Sequence, residues 1–188
     1  MSELPEDLLS FIETSLGQIF SARKLYPDDV FETQNFAGVP LSVIVDEGLR
    51  NYIHEAVHSL LNLSVDVNYL VCTLVSSSDR PLDSYAFCIS PLTTSYHSSN
   101  KYEDLKLAFA QLSLVGLNNE PLTEDCSFKL QIVGNLTAPL TSSNWALDSS
   151  LPNNSYNRAQ PLPLSNVQFG SFNCMIIKDF SSTALGNR

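Results

Sequence analysis

One stretch constrains the fold more than any other: the unbroken apolar run from Tyr69 to Val75 inside VDVNYLVCTLVS (65–76). It begins by alternating and then turns continuously apolar. It is far shorter than the roughly 20 apolar residues a membrane span requires. A short apolar run of this kind reads as a strand covered on both faces. Ser78-Asp79-Arg80-Pro81 follows with turn chemistry, and SYAFCI (84–89) returns, so the pair reads as a hairpin.

Helical patterns flank this hairpin. Residues 4–23 read as an amphipathic helix. Pro5 suits a first turn, Glu6 and Asp7 favour the positive end of the dipole, and Leu8, Ile12, Leu16, Ile19 and Phe20 recur at helical spacing. Tyr26-Pro27 ends it, and 26–38 reads as a connector. VPLSVIV (39–45) reads as a strand, with Pro40 at its start or on an edge. Asp46 is a candidate N-cap for a helix over 47–61 with the core stripe Leu49, Ile53, Ala56, Val57 and Leu60. A third helix spans 101–116. Leu105, Ala108, Phe109 and Leu112 form one apolar face, and Leu107, Ala110 and Leu114 another. That pattern predicts a helix buried on most of its circumference, stopped at Gly116. SFKLQIV (127–133) alternates like a half-buried strand.

After residue 134 the character changes. Residues 135–166 are rich in Ser, Asn, Pro and Leu, hold the single Trp145, and lack helical period. A long irregular segment in a compact domain is usually functional or disordered. It leads into the strand-like VQFGSFNCMIIKDF (167–180), and 181–188 reads as a frayed tail. The fold class expected is α+β, with three helices packed on a mainly antiparallel sheet. The 188 residues suit one domain spanning 1–188.

Charge excludes a class of partner. Twenty acidic residues against 10 basic ones give a net charge of −10. Gripping a phosphate backbone takes Lys and Arg that displace counterions, so direct nucleic-acid binding is not expected. The start, MSELPEDLLSF, is acidic where a secretory signal is basic, which predicts an intracellular chain. Cys72, Cys88, Cys126 and Cys174 form no C-x-x-C unit and read as reduced thiols among apolar residues. No phosphate-cradling glycine loop occurs. No membrane partner and no cofactor is expected.

His54-Glu55-Ala56-Val57-His58 matches the H-E-x-x-H pattern. On a helix the two histidines share a face, and Glu55 could act as base to a metal-bound water. A catalytic zinc needs a third protein ligand. The extended pattern would place Gly at 61 and His at 64, where the chain has Leu61 and Ser64. His97 and Glu103 are the remaining candidates, and nothing specifies them. His54 and His58 share a polar face with Glu47, Arg50 and Asn51. They read as surface histidines, with a zinc hydrolase as the distant alternative and no metal expected.

Three stretches together carry a resemblance: LYPDDVFE (25–32) leading to VPLSVIVDEGLRNYIHEAVHSLL (39–61), SDRPLDSYAFCI (78–89), and LAFAQLSL (107–114) followed by CSFKLQI (126–132). With Trp145 and PLPLSNVQFGSFNCMIIKDF (161–180) they resemble a HORMA domain. The resemblance is to the non-catalytic accessory subunits of DNA polymerase zeta in particular, and it covers roughly 5–180. It implies a core over about 5–134 and a mobile C-terminal safety belt over about 135–180. That belt closes over a partner peptide added as a strand to the sheet edge. The family's peptide-contacting tyrosine and belt tryptophan match Tyr52 and Trp145.

The implied function is a non-enzymatic adaptor in translesion synthesis and DNA damage tolerance. It would clasp a peptide of a B-family polymerase catalytic subunit and reside in the nucleus. A spindle-checkpoint or autophagy HORMA adaptor is the alternative. The family's surface for a second partner, a translesion scaffold polymerase, matches Leu162, Met175 and Ile177. Here Met175 and Ile177 replace a polar residue and a tyrosine. Leu107 stands where the family can carry a dimerisation arginine, which speaks against homodimerisation by that route.

Overall fold

The computed structural model describes residues 5–36, 38–62, 65–91, 100–114, 122, 125–136, 145 and 162–179. The element order is α1 (Glu6–Ala22), β1 (Phe31–Phe36), β2 (Val39–Ile44), α2 (Glu47–His58), β3 (Val65–Ser76), β4 (Pro81–Pro91), α3 (Lys101–Ser113), β5 (Cys126–Leu136), β6 (Leu162–Phe169) and β7 (Phe172–Asp179). Short 3-10 turns cover Asp28–Val30 and Ser59–Asn62. Five strands form one antiparallel sheet in the order β5-β3-β4-β7-β6, and β1 and β2 form a separate hairpin.

The apolar run that opened the sequence reading lies inside the sheet as β3. Leu70, Cys72 and Leu74 join the main core, while Val71 and Val75 are buried on the opposite face. Both faces of the strand are therefore covered, as its composition predicts. From β4, Tyr85, Phe87 and Ile89 enter the same core. Asp46 caps α2, its carboxylate accepting the Leu49 backbone N–H at 2.8 Å. A cap of this kind stabilises by about 1 kcal/mol.

Two helices exchange the roles that their sequences suggest. The first, α1, is the central one. Its buried residues include Leu8, Leu9, Phe11, Ile12, Ser15, Leu16, Gly17, Gln18, Ile19 and Phe20, which go well around the helix. The buried Ser15 hydroxyl donates to the Phe11 carbonyl, and Gln18 Oε1 accepts the Ser42 N–H at 2.8 Å. Gly17 lets β2 come close: a Cβ there would meet the Ser42 carbonyl oxygen at 3.1 Å. By contrast, α3 buries one face, through Ala108, Phe109 and Leu112, and leaves Leu107 61% and Leu114 53% exposed. The expectation of an all-round buried α3 is corrected. Its second apolar face has no packing element among the described residues.

The connector reading of 26–38 is also corrected. FETQNF pairs with β2 in register from Phe31↔Ile44 to Phe36↔Val39, and Gly38 takes φ 85° in the turn. The polar residues of β1 are exposed, so the strand carries no apolar period to find. Near the C-terminus the segment over 167–180 folds back on itself. Gly170, at φ 58°, turns β6 into β7, and Phe169 faces Phe172. Strand β5 runs on to Leu136, and β6 begins at Leu162, inside the stretch read as irregular. Gly116, His97, residues 137–144 and 146–161, and the 181–188 tail lie outside the described residues.

Candidate functional site

The two margins of the five-stranded sheet are β5 and β6. Among the described residues β5 pairs with β3 alone. Its inward residues Phe128, Leu130 and Ile132 are only partly buried, although they pack against the core. A strand at a sheet margin presents backbone donors and acceptors to any further strand. Half-covered apolar side chains beside it offer area that a guest could bury.

Helix α2 runs alongside. Tyr52 projects from it and is 56% exposed. Its ring meets Phe128 of β5 edge-on, with centroids 5.9 Å apart. Phe128 in turn lies against Phe20 at 4.6 Å, and Phe20 against Tyr26 at 6.1 Å. Burial and then the neighbouring Tyr52 hold the Tyr26 phenol above its ordinary value. Tyr52 is thus the exposed end of an aromatic chain rooted in the core. A large amphipathic ring held rigidly in this way is a typical interface anchor.

Trp145 docks at the C-terminal end of the same helix. Its indole Nε1 donates to Ser59 Oγ at 2.7 Å, and that hydroxyl donates to the Ala56 carbonyl at 2.7 Å. The ring is partly buried against the core. So the chain leaves β5 at Leu136, touches the end of α2 at Trp145, and re-enters the sheet at Leu162 on the far margin. With strands about 4.8 Å apart, β5 and β6 are separated by four spacings, roughly 19 Å. At the Cys126 end of β5 lies a cavity of about 460 Å³ lined by Lys24, Leu25, Tyr26, Pro27, Asp28 and Asp125 as well as Cys126.

The seam between β4 and β7, one strand in from the far margin, is built differently. Strand β7 pairs along β4 from Ser84↔Asp179 to Pro91↔Phe172. Cys174 and Ile176 are fully buried. Arg23 and Asp83 form a buried ion pair at 2.7 Å, and Lys178 is buried beside them. Burial lowers the Lys178 pKa, partly offset by Asp83. Met175 and Ile177 alternate with the buried pair, so they face away from the helices, and both are half-buried. Leu162 is opposite Lys178 in register, one strand further out. The structure places Met175 and Ile177 on one face of β7.

The H-E-x-x-H helix face is only partly covered, with His54 exposed and His58 half-buried. It packs on α1, whose Glu13 approaches both histidines. Three residues of these sites escaped the sequence reading: Phe128 beneath Tyr52, Ser59 holding Trp145, and Glu13. Each meets its partner from a distant part of the chain, and no local spacing signals it.

No protein-family model and no curated protein matches the chain. Solved structures do. A chain of a mitotic checkpoint complex crystal structure superposes with a TM-score of 0.78 at 17% identity, covering 93% of this chain and 97% of that one. C. elegans HTP-2 bound to a HIM-3 closure motif gives 0.74 at 8% identity, over 94% and 89%. C. elegans HTP-1 bound to a HIM-3 closure motif gives 0.68 at 8% identity, over 92% and 88%. These neighbours are HORMA-domain proteins, and the chain has their α+β fold.

Proposed function

We propose that the chain is a non-enzymatic adaptor that clasps an extended partner peptide along β5. The peptide adds a strand at this margin, so backbone hydrogen bonds supply affinity and side-chain pockets supply selectivity. Tyr52 and Trp145 are the aromatic contacts. The belt is the segment over about 135–180, closing from β5 across to the docked β6–β7 hairpin. The observation that carries this reading is topological: the chain departs at one sheet margin and returns at the other, with Trp145 tied to α2 on the way. Wrapping makes release slow, because the belt must detach first.

The HTP-1 and HTP-2 structures carry closure motifs, which supports peptide capture by this fold. For the partner, the resemblance of LYPDDVFE and the proline-led C-terminal strand favours a B-family polymerase catalytic subunit, with translesion synthesis in the nucleus as the setting. Met175, Ile177 and the neighbouring Leu162 would then serve a scaffold polymerase. A checkpoint-type adaptor is the second reading, favoured by the match to the mitotic checkpoint complex. The net charge of −10 supports contact with protein and not with DNA.

Overlapping peptides tiled across a translesion polymerase catalytic subunit and across checkpoint partners, titrated into the purified chain, test this. Binding of one polymerase segment, with protection of 137–161 from proteolysis, is expected. Binding of a checkpoint peptide instead transfers the reading to the second adaptor class. Equal cleavage of 137–161 with and without bound peptide removes the belt.

A further inference from the structure

The seam between α1 and α2 gathers three metal-ligating side chains. His54 and His58 lie one turn apart on α2, with ring centroids 3.9 Å apart. Glu13 reaches them from α1. Its Oε1 is 3.0 Å from His54 Nδ1 and 3.2 Å from His58 Nε2. All three donor atoms fall within 4.8 Å of one another. Glu6, two helical turns before Glu13, brings a second carboxylate to 3.9 Å from His58 Nε2. We propose that Glu13, His54 and His58 form a zinc-type divalent cation site that staples α1 to α2.

The donor set decides the class of ion. Two imidazoles and one carboxylate suit zinc and its borderline neighbours. Calcium and magnesium prefer all-oxygen shells. Size agrees as well. Tetrahedral zinc with bonds of 2.0–2.1 Å spaces its ligand atoms about 3.3 Å apart. The two oxygen–nitrogen separations here are 3.0 and 3.2 Å. With the two ring nitrogens within 4.8 Å of each other, an ion at the centre of the group replaces the contacts now joining it once the two rings turn towards it. The Glu6 carboxylate beside the group, in a chain of net charge −10, favours a cation further.

The third ligand comes from the N-terminal side, 41 residues before His54, and not from the C-terminal extension that Leu61 and Ser64 interrupt. That origin makes the site a cross-link. It joins the buried central helix to the helix that carries Tyr52 and, next to His58, the Ser59 anchor of Trp145. His54 is 55% exposed, which leaves the fourth position to water. The role inferred is structural and not hydrolytic, and it stands apart from the peptide-clasping reading.

The test uses the full chain, stripped with a chelator and titrated with zinc by calorimetry and with cobalt by visible absorption. One equivalent of zinc, a tetrahedral cobalt spectrum and a raised Tm are expected. Glu13→Gln, His54→Ala and His58→Ala should each weaken binding by more than the roughly tenfold that loss of an outer-shell partner alone costs. Glu55→Gln should bind as the parent does. His54 is exposed enough for its alanine variant to fold, and circular dichroism checks this. No zinc uptake by the parent overturns the proposal and leaves a hydrogen-bonded His–Glu–His cluster. Undiminished uptake in all three ligand variants overturns it too, by placing the ion elsewhere. Zinc-dependent peptide hydrolysis lost in Glu55→Gln overturns the structural role.

Discussion

The margin at β5 and the seam where the β6–β7 hairpin docks on β4, leading to the other margin, are made of similar strands and finished in opposite ways. At β4–β7 the docked hairpin sends Cys174 and Ile176 fully into the core, and the Arg23–Asp83 pair with Lys178 closes the end. At β5 the inward residues Phe128, Leu130 and Ile132 stay half-covered. A seam meant to stay shut is sealed by buried apolar area and by charges that cannot separate without cost. A margin left with partly covered apolar side chains has stabilisation still to gain. In the proposed adaptor, the guest strand supplies it.

Breaking the sealed seam should have the largest effect. Asp83→Ala breaks the buried pair with Arg23 by removing one partner, a change that typically costs about 3–5 kcal/mol. Urea unfolding should show a loss of that size, and Arg23→Met added to it should restore a good part. A loss below about 1 kcal/mol would mean that the pair is not what closes this seam. At the β5 margin, Trp145→Ala should leave stability nearly unchanged. It should weaken peptide capture by about 2 kcal/mol, the size expected of an interface anchor. The reverse pattern, unfolding without loss of capture, would make the indole a packing residue.

Alkaline titration addresses the buried thiols of β3 and β7. Burial raises the Cys72 and Cys174 thiols far above the ordinary value of 9.0. The folded chain then keeps protons that the unfolded chain gives up, so stability should fall as pH rises above about 9. The fall is roughly 1 kcal/mol per thiol for each pH unit. Lys178 acts the other way. Its lowered pKa means that the unfolded chain holds the proton more tightly, so stability recovers slightly as pH approaches 10.5. Unfolding curves at pH 8 and 10 measure the balance. The smallest effect belongs to neither margin: Leu107→Lys on the exposed face of α3 should change stability by less than about 0.5 kcal/mol. A larger loss would place a partner on that face.

The sequence exposes what is local. The Asp46 cap, the Tyr69–Val75 run and the Ser78–Pro81 turn depend on neighbours a few residues away, and all appear where their chemistry places them. Failures follow from the same rule. FETQNF lies exposed against a single partner strand, so it shows no apolar period, and only pairing with β2 makes it a strand. Leu107 and Leu114 are apolar without being covered, because an apolar face records an offer of contact and not its acceptance. In α1, the small or polar Ser15, Gly17 and Gln18 conceal a helix buried around most of its girth. Tyr52 and Trp145 could be singled out, but Phe128, Ser59 and Glu13 could not, since each becomes relevant only through a contact across the fold.

Gly17 carries a consequence out of proportion to its size. The hydrogen atom that stands where other residues carry a methyl sets how near the β1–β2 ribbon rides to the central rod. Alanine at this point would oblige Ser42 to retreat by a few tenths of an ångström. Phe36 of that ribbon rests on Phe109, which touches Phe11, so the retreat would be felt as far as the third helix. Two layers are thus kept in step by an atom group that is missing.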